Sequence, residues 1–168
     1  MHKFSFEYIK YDEKMSPADR RDHEHRCAYE LLYKMLKAHF SLDRPQILKT
    51  ENGKPYVQIG GVHFSVSHTD GLVACAVADS PVGIDCEKIK ERKKEDICRF
   101  AKRFFVENEL KIIEASGFDS KEFFKLWTGK EATIKKLGTN MSDIKKIDVT
   151  RENVEFFIEN DYIIAINV

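Results

Sequence analysis

The stretch "FSVSHTDGLVACAVA", residues 64–78, decides the fold. Two apolar-patterned runs flank Thr69-Asp70-Gly71, and Asp-Gly is a turn dipeptide that closes hairpins. Phe64 and Val66 then point into a core, Ser65 and Ser67 point outward, and His68 ends the strand. A stretch of similar pattern, "VEFFIENDYIIAINV" at 154–168, supplies a second hairpin. Working outward, "FSFEYI" (4–9) alternates like a strand. "SPAD" opens a helix: Ser16 caps it, Pro17 suits the first turn and Asp19 completes a capping box. Cys27, Leu31 and Met35, with Leu32 and Leu36, carry the helical stripe to about residue 39. "ENGKP" (51–55) and "GG" (60–61) are turns between short strands. "VGIDCEKI" (82–89) is a strand, followed by helices over "ERKKEDICRFAKRFF", "ENELKIIEA" and "KEFFKLWTGKEATIKKL", the last ending near Gly138. A strand is expected at about 144–149 before the final hairpin. Each half thus offers a strand, a helix, a short strand and a hairpin. The expected class is α+β: two similar halves, 1–81 and 82–168, each a helix on an antiparallel sheet, related by a pseudo-twofold axis. No Pro/Gly/Ser-rich linker separates them, so they should act as one body with an active site at the seam.

Lys+Arg and Asp+Glu both number 28, so bulk charge gives no pull toward nucleic acid. Cys27, Cys75, Cys86 and Cys98 lack paired zinc spacing, which favours a reducing cytoplasm. "MHKFSFEYIKYDEK" has no apolar signal core, and no apolar run is long enough to span a bilayer.

On the 82–89 strand, Ile84 and Cys86 face one way and Asp85 and Glu87 the other. Two carboxylates side by side repel unless water or a cation lies between them, and the strand alone leaves both readings open. On the helix through "WTGKEATIK" (127–135), Trp127, Glu131 and Lys135 share one face. A surface Glu–Lys pair there would contribute only a few tenths of a kcal/mol. Trp127 on the same stripe argues against plain solvent exposure, and Gly129 costs about 1 kcal/mol against alanine unless something approaches closely. Ser67 and His68 are chain neighbours, a poor arrangement for a nucleophile and its base, and no G-x-S-x-G elbow exists. Lys54, in the "NGKP" turn, is either solvated or a cationic tip for phosphate. Together Asp85, Glu87 and Glu131 suit a hard cation such as magnesium, with Lys54, Lys130, Lys135 and His68 left to hold phosphate charge.

The order "GKP", "FSVSH", "GIDCE", "WTGKEATIK", with "AKRFF" (101–105) between the last two, resembles the 4′-phosphopantetheinyl transferases of the larger, surfactin-synthetase-activating type. The central position of the "GID" strand is similar to that pseudodimeric, monomeric type rather than to the smaller trimeric synthases. The resemblance implies transfer of phosphopantetheine from coenzyme A to a serine of an apo acyl or peptidyl carrier protein, with release of 3′,5′-adenosine bisphosphate. It implies Asp85, Glu87 and Glu131 as magnesium ligands, Glu131 also as base for the serine, directly or through a metal-bound water, and Lys135 as stabiliser of the phosphoryl group. Lys54, Ser67 and His68 would grip coenzyme A phosphates. Lys130 points about 100° away from Glu131 on the helix. The family's basic segment before the first long helix is short here, with Arg20, Arg21 and Arg26 as substitutes, of which Arg26 aligns best. The run Lys88, Lys90, Arg92, Lys93, Lys94 would steer an acidic carrier. Fatty-acid and secondary-metabolite carriers are both open. Two competing readings are a nuclease-like magnesium enzyme and a non-catalytic carrier-binding module.

Overall fold

The computed structural model describes residues 2–168. The first half runs β1 (His2–Tyr8), α1 (Pro17–Phe40), β2 (Leu48–Lys49), β3 (Pro55–Tyr56), β4 (His63–Thr69) and β5 (Leu72–Ala78). The second runs β6 (Gly83–Lys88), α2 (Lys94–Phe104), α3 (Glu107–Ala115), α4 (Ser120–Leu137), two 3-10 turns (Met141–Lys146 and Val149–Arg151), β7 (Val154–Glu159) and β8 (Tyr162–Asn167). Helices and antiparallel sheets make an α+β fold.

Helix α1 begins where the capping box places it. Ser16 Oγ accepts from the Asp19 amide, and Asp19 accepts in return from the Ser16 amide. The box contributes about 1 kcal/mol. The buried stripe of Ala28, Leu31, Leu32, Met35 and Leu36 contributes far more, at about 1.5–3 kcal/mol per fully buried large side chain. It packs on Val73, Cys75 and Val77 of β5.

β5 is the centre of a three-stranded sheet ordered β1-β5-β4, and β8 is the centre of a second ordered β6-β8-β7. In both, the opening strand of the half lies at an edge and the last strand lies in the middle. Because each central strand is covered on both faces, it is a near-continuous apolar run rather than alternating, broken only by Asn167 at the end of β8. Leu72, Ala74, Ala76 and Ala78 of β5 turn away from α1 and pack with Ile84, Cys86, Ile164 and Ile166. This second core joins the two sheets face to face. The rings of Phe4 and Phe157 meet at 4.5 Å on the same side. Ile163, one residue out of phase, faces the third core around α2, α3 and α4.

Two expectations change. The segment 144–149 is not a strand. Ile144 and Ile147 sit three apart and both enter the α4 core, which a 3-10 turn allows and an alternating strand does not. Ser65 and Ser67 are not on a wet face: both are buried, because the outer face of β4 lies against β6. All four cysteines are free. Among the described residues, no helix is long and apolar enough to cross a membrane.

Candidate functional site

Strand β6 reaches α4 through Gly83. A Cβ there would lie 1.9 Å from the Ala132 carbonyl oxygen and 2.5 Å from the Lys136 nitrogen. Only glycine lets strand and helix approach this closely. The approach sets the residues two and four places further along β6 opposite the middle of α4. As a result Asp85, Glu87 and Glu131 each offer a carboxylate oxygen within 4.8 Å of the others.

Asp85 is 2% exposed. Its Oδ1 accepts from Ser67 Oγ at 2.7 Å and from Lys135 Nζ at 2.8 Å. Its Oδ2 is buried with no hydrogen-bond partner among the described residues. A buried carboxylate oxygen left so costs free energy, and a cation would satisfy it. Burial, then the Asp85 charge, pushes the Glu87 carboxyl up to about 7, with Lys135 and the neighbouring Trp127 indole opposing the rise. Burial and Asp85 likewise push Glu131 up to about 8. Burial works against the Lys135 ammonium, but Asp85 outweighs it and holds that pKa above an ordinary lysine's. Cys86, on the opposite face of β6, is a buried thiol pushed up to about 12, chiefly by desolvation. Were all three acids ionised, the cluster would carry more negative charge than its single lysine offsets, which is why two of them hold their protons so firmly without a cation. Its oxygen-only donors fit magnesium, which takes few carboxylates and completes its shell from elsewhere.

The acids open into a cleft of about 340 Å³ between α1, β4, β6 and α4. His68 and Lys135 line it. Ser67 lines it too, but its hydroxyl proton goes to Asp85, and it also accepts from the Cys86 amide. Its place is thus to orient an acid rather than to stand free for a phosphate. Lys54 lies beside the cleft, along a neighbouring hollow of about 250 Å³ that shares Lys135. Its Nζ donates to the Lys136 carbonyl at the end of α4.

Two expected residues are elsewhere. Lys130 is fully buried, 2.8 Å from Glu109 Oε2, and donates to the Ile144 and Ile147 carbonyls. It faces the core side of α4, opposite the cleft, and burial pulls its pKa down. Arg26 is exposed on α1 with Cys27 and Glu30, outside the cleft. Its neighbour His25 lines the cleft instead, with Tyr29 one helical turn on. The sequence held a signal for this region in Glu24, an acid on the apolar stripe of α1, which is buried and bonds His68.

The model of the 4′-phosphopantetheinyl transferase superfamily matches residues 81–164, half of the chain. The 4′-phosphopantetheinyl transferase gsp of Aneurinibacillus migulanus is 44% identical over 95 residues, 55% of this chain and 38% of that one. The transferase psf-1 of Bacillus pumilus is 43% identical over 108 residues, 61% of this chain and 45% of that one. The transferase Sfp of Bacillus subtilis strain 168 is 34% identical over 117 residues, 67% and 50%. The chain thus spans half or less of the length of these relatives. The matched segment contains β6 and α4, with the three carboxylates and Lys135. By that match the chain belongs to the 4′-phosphopantetheinyl transferase superfamily.

Proposed function

We propose that the protein transfers phosphopantetheine from coenzyme A to a serine of an apo acyl or peptidyl carrier protein. The observation that carries this reading is the meeting of Asp85, Glu87 and Glu131 within 4.8 Å, beside Lys135, inside the segment matched by the family. Asp85, Glu87 and Glu131 would hold magnesium, and the bound ion would supply charge neutralisation at the pyrophosphate. Glu131, its pKa raised toward neutrality, accepts the proton of the carrier serine hydroxyl. The serine oxygen forms a bond to the phosphorus attached to pantetheine. The bond from that phosphorus to the adenosine-side oxygen breaks, and 3′,5′-adenosine bisphosphate leaves. Lys135 donates to the phosphoryl oxygens in transit. His68 and Lys54 hold the remaining phosphate charge, and Ser67 keeps Asp85 turned to the cleft.

In this reading the boundary between halves lies at 81/82, a pseudo-twofold axis relates them, and the cleft is their seam. The identical strand order of the two sheets supports that division. The enzyme acts as a monomer in the cytoplasm, on carriers of fatty-acid or related synthesis, without nucleic acid. The run Lys88–Lys94 steers the acidic carrier; Arg92, stacked on Phe123 and Phe124, fixes the run's middle.

The test is direct: incubate the protein with apo carrier protein, coenzyme A and Mg²⁺, and weigh the carrier. A gain of one phosphopantetheine is expected. No gain across several carriers would refute the transferase reading.

A further inference from the structure

The apolar stripe of α1 carries one charge. Glu24 precedes Ala28 by one helical turn, on the stripe that continues through Leu31, Leu32 and Met35, and is 8% exposed. A carboxylate so placed needs partners. One oxygen accepts from the Tyr11 hydroxyl, and the other lies 3.0 Å from His68 Nδ1. The Tyr11 oxygen accepts in turn from the Gly71 amide at 2.7 Å, in the turn between β4 and β5. Burial, and then the Glu24 bond, push the Tyr11 phenol upward, so it stays a donor to the carboxylate. The loop at Tyr11, helix α1 and the β4–β5 hairpin are therefore tied together through one carboxylate and the histidine ring beside it.

The chemistry of the contact fixes that ring. A carboxylate only accepts, so Nδ1 carries the hydrogen that lies between them. Nε2 is then the nitrogen left for the cleft, which His68 lines. When the ring carries both protons, Nε2–H is a charge-assisted donor for an anion.

We propose that Glu24 is a positioning residue that holds the His68 ring with Nε2 facing the cleft, where it donates to a phosphate of the substrate. The role rests on the transfer reading above for the identity of that substrate. Glutamine keeps the shape but has one acceptor and one donor group, so it cannot accept from both Tyr11 and an Nδ1–H, and it offers no charge to the doubly protonated ring.

The test uses Glu24→Gln and Glu24→Ala in the full chain, each checked for cooperative unfolding. In ¹H–¹⁵N spectra of the histidine rings, the wild-type His68 Nδ1 should show the signature of a hydrogen-bonded N–H. Both variants should lose it. In transfer assays the KM for coenzyme A should rise about tenfold, the size of one charge-assisted hydrogen bond, while kcat moves less than twofold. In a His68→Gln background, Glu24→Gln should add no further change in KM. An unaltered ring signal, or a full tenfold effect persisting without His68, would overturn the assignment. A wild-type protein that transfers nothing would refute the substrate, and the ring spectra would still decide whether Glu24 orients His68.

Discussion

Gly83→Ala adds one methyl group where strand meets helix, and its consequences can be worked through. The new carbon would sit 1.9 Å from the Ala132 carbonyl oxygen, 2.5 Å from the Lys136 nitrogen and 3.0 Å from the Ala132 carbonyl carbon. All three are backbone atoms of α4, so no side chain can swing aside. Comfortable contact begins near 3.4 Å, so β6 and α4 must part by roughly 1.5 Å. Overpacking of this kind costs about 1–3 kcal/mol, and the rigid neighbours place this case at the upper end. Glu131 is the residue before Ala132, so the same retreat carries its carboxylate away from Asp85. A displacement of about 1 Å in a reacting constellation lowers rates on the order of 100-fold. Stability is read by urea denaturation, and transfer by the rate of mass gain on a carrier protein. A variant within about 0.5 kcal/mol and twofold of wild type would refute the reasoning. Strand and helix would then be free to separate without disturbing the acids.

Glu131→Gln keeps shape but removes the carboxylate proposed as proton acceptor; transfer should fall at least 100-fold with the unfolding midpoint unchanged, as measured by carrier mass gain and thermal melting. The Glu87 and Glu131 carboxyls are raised from 4.5 to about 7 and about 8, so their protonated forms favour the fold. Their stabilising contribution is full below pH 4.5 and is lost as pH rises through 7 to 8. The metal-free melting temperature should therefore fall from pH 5 to pH 8, and Mg²⁺ should raise it more at pH 8 than at pH 5. The single tryptophan, Trp127, neighbours Glu87, so its fluorescence should shift on Mg²⁺ titration in the wild type and not in Asp85→Ala. Lys130→Met strands the Glu109 carboxylate in the core and should cost about 3–5 kcal/mol in denaturant unfolding.

Much of this was legible because local patterns and tertiary demands agreed. The Asp70-Gly71 turn, the Ser16 cap and the alternation of Asp85 and Glu87 against Cys86 each follow from rules that act within a few residues. The gathering of Glu131 with the strand acids was legible only through the joint order of motifs, since no local rule relates residues 85 and 131. The misses share a different cause. Ser65 and Ser67 looked like a solvent face because the partner of that face, β6, lies in the other half. Lys130 looked like a phosphate ligand because the acid that neutralises it, Glu109, is on another helix. Ile144, Ile147 and Val149 suggested an extended run. The carbonyls there answer to the Lys130 ammonium instead, and a tight turn presents two of them to it. Arg26 and His25 differ by one step around α1, and which of them meets the cleft is set by packing on β5.

The alanines of β5 bear on what kind of chemistry the protein can diversify into. Ala74, Ala76 and Ala78 give Ile164 and Ile166 of β8 somewhere to seat, so the two sheets interlock like teeth of unequal size. A slide of one sheet along the other would drive a branched side chain into backbone. The same interlock sets how far β4 stands from β6, and with it the width of the mouth between them. Adaptation to new guests has to come from the margins: the exposed face of α1, the Gly53–Pro55 turn and the end of α4. Substitutions in those places alter what enters while leaving the spacing of the acids untouched.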